Sequence, residues 1–117
     1  MSRKITNLNL NQWLKNPFRE TLIMGIINVT PDSFSDGGKY FELNMALEYS
    51  AKMIDDGVDI IDIGGESTRP GAKAISIDQE LKRTIPLVEK IRSNSPDILI
   101  SIDTSKSEVA EKAILSG

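Results

Sequence analysis

The sequence predicts an α/β fold built on parallel strands, with ligands bound where those strands end. Three observations carry this. Three short apolar runs turn abruptly polar, at Asn28, Asp62 and Asp103. Segments with apolar residues at helical spacing separate the runs. The three polar residues recur about one strand-plus-helix unit apart, which suits a barrel or an open α/β sheet. Strands joined through helices run parallel. In both architectures ligands bind beyond the strands' carboxyl ends, where all three polar loops would lie.

Taken in order, Lys4 to Leu10 reads as a short, weak strand of a leading hairpin, and Asn11 to Glu20 as irregular cover closing one end of a core. Leu22 to Val29 is a near-continuous apolar run, as in a strand buried on both faces. Met24, Ile26 and Asn28 would share one of those faces. Pro31 ends the strand. Leu43, Leu47, Ala51 and Ile54 follow at helical spacing, with Gly57 placed for a left-handed cap. Val58 to Ile63 is the second strand, stopped by Gly64 and Gly65. Ser76 opens a second helix with Gln79 three residues on, a capping box. Its predicted apolar stripe is Ile77, Leu81, Ile85 and Val88, with Pro86 inside it and a kink expected there. Ile98 to Ile102 is the third strand. Ser105 with Glu108 reads as another capping box, starting a helix through Val109, Ala110, Ala113 and Ile114, with Gly117 at its C-cap.

The 117 residues suffice for one domain, and 39% hydrophobic with 26% charged residues is ordinary globular usage. Net charge is −3, from 14 basic and 17 acidic residues, with no basic stripe, so nucleic acid is not an expected partner. Cysteine and histidine are both absent. Disulfides and zinc–thiolate sites are thereby excluded, and so is the usual general base near neutral pH. Chemistry in this segment must use carboxylates, amides, Lys, Arg or a bound metal. No apolar run approaches the roughly 20 residues that span a bilayer, and no secretory h-region is present. The expectation is a soluble cytoplasmic protein.

The loops hold the candidate chemistry. Asn28 offers an amide to a cation or a phosphate, or else caps the turn before Pro31. Asp32 and Asp36 are loop carboxylates suited to a cation, or an Asx-turn and a solvated acid. Phe34 lies between them, and Gly37–Gly38 would hinge a lid. Asp62 interrupts an apolar strand, so it needs donors or a ligand. After it, Thr68 offers a hydroxyl, Arg69 a planar guanidinium, and Pro70 a flat apolar face. An Arg69–Glu66 ion pair is the alternative. Asp103 accepts N–H donors well and would read an amino-pyrimidine edge, or it caps the helix that Ser105 begins. Lys106 falls in a first helical turn, where a cation is unfavourable, and is expected to be solvated.

The segments MGIINVTPDSFSDGG, DIIDIGGESTRPGA and SIDTSK, in this order and spacing, closely resemble dihydropteroate synthases of folate biosynthesis. The resemblance covers nearly everything from Ile23 to Gly117. It implies the N-terminal three βα units of a (β/α)8 barrel. It also implies condensation of p-aminobenzoate with 6-hydroxymethyl-7,8-dihydropterin diphosphate through a cationic pterin, assisted by Mg2+, with no covalent enzyme intermediate. By the same resemblance Asn28 contacts Mg2+ and diphosphate, and Asp36 helps hold the metal and stabilises the cation. Phe34 and Pro70 enclose the p-aminobenzoate ring, Thr68 and Arg69 belong to the second substrate loop, Asp103 reads the pterin, and Asp62 lines the pocket. Phe34→Leu is expected to weaken p-aminobenzoate binding more than pterin binding.

The remaining barrel strands, further pterin contacts, a Lys, an Arg and a His near the diphosphate, and most of a homodimer interface lie outside this sequence by the same comparison. The last residue reads as a truncation point, and the isolated chain is expected to be inactive and marginally stable. Three other classes compete: a methyltetrahydrofolate corrinoid methyltransferase barrel, a non-catalytic remnant, and a small flavodoxin-like binding module.

Overall fold

The computed structural model describes residues 9–30, 39–66, 70–71 and 73–117, the side chains of residues 39–42 excepted. Their element order is α1 (Leu10–Lys15), β1 (Met24–Asn28), α2 (Lys39–Asp56), β2 (Ile60–Gly64), α3 (Ile77–Asn94), β3 (Leu99–Asp103) and α4 (Ser107–Ser116). The three strands form one parallel sheet in the order β1-β2-β3.

Register fixes which residues share a row. Met24, Ile60 and Leu99 form the lowest row of one face, Ile26, Asp62 and Ser101 the next, and Asn28, Gly64 and Asp103 the last. Alternate residues point to the opposite face. There Ile27, Ile61 and Ile63 are buried with Ala46 of α2 and Leu87, Val88 and Ile91 of α3. Complete burial of a side chain such as Ile61 or Ile63 contributes roughly 1.5–3 kcal/mol. The expectation that the first strand is buried on both faces does not hold. Met24 is 47% and Ile26 62% exposed, because the described helices that form the core pack on the other face.

The helices start and stop largely as their sequence dictates. Ser76 accepts the Gln79 N–H and Gln79 returns a bond to the Ser76 N–H, the predicted capping box. Gly57 ends α2 at φ 104°, a conformation glycine adopts without a Cβ penalty. Three expectations change. Asn11 to Glu20, expected to be irregular, begins inside α1, which is capped by Asn9, whose side chain accepts the Gln12 N–H. None of its residues is buried, and the Trp13 indole donates to the Glu20 carbonyl at 2.6 Å instead. Leu10, expected to end a strand, is its first residue; residues 4–8 lie outside the described residues. The second capping box is absent. Helix α4 starts at Ser107, its N-cap is Lys106 with no side-chain capping bond, and Ile114 is 76% exposed.

The third change concerns α3, whose buried stripe is Glu80, Thr84, Leu87, Val88 and Ile91, with Ile85 beside it, while Ile77 is exposed and Leu81 half-buried. The helix is turned so that two polar residues face inward, each satisfied. The Thr84 hydroxyl donates to the Glu80 carbonyl at 2.8 Å, and the Glu80 carboxylate has partners from the turn after β3. At the opposite end, Arg92 gathers three elements. Its guanidinium donates to the carbonyls of Ser95, Pro96 and Ile98, and through Nε to Gly117 at 2.8 Å.

Candidate active site

The C-terminal row of the sheet places Asn28 and Asp103 on either side of Gly64. Two strand spacings, roughly 10 Å, therefore separate their backbones. Both side chains are exposed. Gly64 keeps the space between them open: a Cβ there would lie 3.4 Å from Asn28 Oδ1 and 3.7 Å from the Asp103 Cβ. One row below, Ser101 donates its hydroxyl to Asp62 Oδ1 at 2.5 Å. Asp62, half-buried, thus has the donor that its place in an apolar strand demands. The result is a slot with an amide on one wall, a carboxylate on the other, a hydrogen-bonded acid in its floor, and Met24, Ile60 and Leu99 beneath. A planar polar heterocycle fits that pattern, since acids on one face accept N–H donors while apolar rows support the ring.

Of the sequence-predicted residues, Asn28, Asp62 and Asp103 come together on this face. Pro70 is described and exposed, followed by Gly71 at φ 82°. Phe34, Asp36, Thr68 and Arg69 lie outside the described residues, as do Asp32 and the Gly37–Gly38 pair. Among the described residues no group of three acidic side chains forms a metal-holding cluster. Among the described residues Asn28 and Asp103 both present exposed side-chain oxygens at strand ends.

Beside the slot lies a network that the sequence did not announce. Lys106, expected to be solvated, sits 2.7 Å from Oε1 of Glu80 and 3.1 Å from Oε2 of Glu66, and is only 20% exposed. Glu80 is fully buried, and its second oxygen accepts a short hydrogen bond from the Thr104 hydroxyl. Glu66 also accepts the Ile75 N–H at 3.1 Å. That backbone bond first, then Lys106, holds the Glu66 carboxyl below its ordinary value. The Glu80 bond first, with Glu66 adding to it, raises the Lys106 ammonium above its ordinary value, against partial burial. The signal that could have found this network was the lysine itself, a cation where the helix dipole disfavours one.

Comparison with known proteins follows the same outline. The family model described as pterin binding enzyme matches residues 24–117. The chain is 57% identical over 98 residues to the dihydropteroate synthase of Bacillus subtilis (strain 168), across 84% of this chain and 34% of the relative. Among solved structures it is similar to the dihydropteroate synthase from Clostridium difficile determined in the presence of pteroic acid, with a TM-score of 0.77, 55% identity, and coverage of 83% of this chain and 36% of that one. It is likewise similar to the Xanthomonas albilineans dihydropteroate synthase with 4-aminobenzoic acid, at a TM-score of 0.76 and 45% identity, covering 82% and 35%. The chain therefore spans about a third of the length of these relatives. No helix among the described residues is long and apolar enough to cross a membrane.

Proposed function

Since the chain belongs to the pterin-binding enzyme family, we propose that it forms the first three βα units of a (β/α)8 dihydropteroate synthase barrel. Among the described residues β1 and β3 each pair along one edge only, and Met24 and Ile26 are exposed on the face away from the helices, which supports this. Strands that close a barrel pair with both edges and turn that face inward.

The proposed reaction joins p-aminobenzoate to 6-hydroxymethyl-7,8-dihydropterin diphosphate. The observation that carries it is the row Asn28, Gly64, Asp103, an amide and a carboxylate on either side of a residue without a side chain. Asp103 accepts N–H groups from the amino-pyrimidine edge of the pterin. Asn28 faces the diphosphate. The bond between the pterin methylene carbon and the diphosphate oxygen breaks, and diphosphate leaves with the electron pair. The arylamine nitrogen then forms the new C–N bond and loses a proton. Asp36 stabilises the cationic pterin, Phe34 and Pro70 enclose the p-aminobenzoate ring, and Thr68 and Arg69 belong to the second substrate-binding loop. Asn28 and Asp36 are the expected protein ligands of Mg2+, which when bound neutralises charge on the diphosphate. These residues act by orientation and charge stabilisation, consistent with a segment that has no His or Cys.

The test is a chimera in which residues 24–117 replace the matching segment of the Bacillus subtilis synthase. Mg2+-dependent calorimetric binding of the pterin diphosphate that is lost in Asp103→Asn is the expected result. A folded chimera that binds nothing overturns the assignment.

A further inference from the structure

Thr104 and Lys106 flank a single residue directly after Asp103, and both bind the same buried carboxylate, Glu80. A carboxylate withdrawn from water needs partners, so these contacts fix the turn rather than decorate it. The Lys106 N–H also donates to the Thr104 hydroxyl at 3.1 Å, closing the turn on itself.

On the other side, Lys106 reaches Glu66, the first residue after Gly65. Glu66 accepts the N–H of Ile75, so one carboxylate ties together the two ends of the β2–α3 connection. The start of that neck is seated on α3 as well. Arg83 donates to the Gly65 carbonyl at 2.9 Å, and a Cβ at Gly65 would fall 2.8 Å from Thr84 Cγ2. Glu80, Lys106 and Glu66 therefore form a chain of contacts from the helix core to the neck. Lys106 stands at an N-cap with no side-chain capping bond and adverse to the helix dipole. Helix formation does not explain its placement, whereas the bridge does.

We propose that Lys106 is a positioning residue: by joining Glu80 to Glu66 it locks the turn after Asp103 against the neck of the β2–α3 connection, so that the C-terminal end of β3 and that neck are set as one unit. The link itself stands on these contacts, and its catalytic consequence rests on the synthase reading above.

Hydrogen exchange in the 117-residue chain tests the link. Lys106→Met is expected to speed exchange at the Ile75 amide at least tenfold while α2 amides keep their protection, because the opening is local. Lys106→Arg should restore most of the protection. Unchanged Ile75 exchange overturns the proposal. Should Lys106→Met loosen α2 too, the double variant Glu80→Gln/Lys106→Met removes both charges together. It is expected to recover α2 and leave Ile75 fast, and recovery of both amides overturns the link.

In the chimera, Lys106→Met should raise KM for the pterin diphosphate about tenfold with kcat changed less than twofold, and Lys106→Arg should rescue it. Faster Ile75 exchange with unchanged KM and kcat would make the link merely structural and overturn the positioning role. An unsubstituted chimera that forms no dihydropteroate overturns the synthase reading and with it the catalytic role, leaving the link to the exchange result.

Discussion

Lys106 Nζ lies 2.7 Å from Oε1 of Glu80, a carboxylate with no solvent exposure. The pair joins a turn at the mouth of the slot to the core of α3, so stability and site geometry share residues here.

Glu80→Ala removes the buried member and leaves Lys106 and the Thr104 hydroxyl without it. The expected cost is about 3 kcal/mol or more, the usual penalty for breaking a buried pair from one side. Glu80→Gln, which keeps an acceptor for Thr104, should cost less. Urea unfolding of the three proteins side by side checks the order, and a Gln variant as unstable as the Ala variant would contradict it.

The same network sets a pH window. The Glu66 carboxyl is held below its ordinary value of 4.5, so its contribution is complete above that pH and is lost as pH falls through the lowered value. Lys106 is raised above its ordinary 10.5, so its contribution is complete below that pH and is lost as pH rises through the raised value. The Ile75 protection factor should therefore be flat between those limits and fall beyond them on either side. A step near neutral pH would contradict the assignment.

Gly64→Val should separate binding from folding. The nearest contacts of a Cβ at this position are ordinary, 3.4 Å to Asn28 Oδ1 and 3.7 Å to the Asp103 Cβ. A β-branched residue also suits a strand better than glycine does. In the chimera, the thermal midpoint is expected to hold or rise while pterin diphosphate affinity falls at least tenfold, because the side chain fills the slot. Calorimetry and thermal unfolding on one sample decide it, and retained affinity would remove Gly64 from the site.

Gly65→Ala should do the reverse. A Cβ there would meet Thr84 Cγ2 at 2.8 Å and Glu80 Cγ at 3.3 Å, both on the buried face of α3. Overpacking of this kind costs roughly 1–3 kcal/mol. A lowered urea midpoint with an unchanged m-value is the expected readout. An unchanged midpoint would mean that α3 yields more easily than its packing implies.

Much of the fold was legible because its signals are local. The strands lie within a residue or two of their apolar runs, the Ser76–Gln79 box caps α3, and Gly57 closes α2. Asn28, Asp62 and Asp103 were identifiable as strand-end polar residues, and register sets them on one face. The misses have a common cause. Hydropathy places Ile77, Leu81, Ile85 and Val88 in the α3 core stripe; Ile85 and Val88 are buried, but Glu80 and Thr84 take the place of Ile77 and Leu81. A polar residue can occupy a core position only when distant residues satisfy it, and the partners of Glu80 lie 24 and 26 residues further along. Ser105 and Glu108 matched a capping pattern, yet Lys106 became the N-cap once Glu80 and Glu66 held its side chain.

By itself the sequence determined the alternation of strands and helices from β1 to α4, the parallel sense of the strands and the polar residues at their ends. Periodicity, caps and breakers act between near neighbours, so a linear reading recovers them. Only the tertiary structure decided which face of α3 is buried, why Lys106 is not in water, and that Gly64 separates Asn28 from Asp103. Those facts depend on which distant segments meet, and they follow from register across the sheet and from the need of a buried carboxylate for partners.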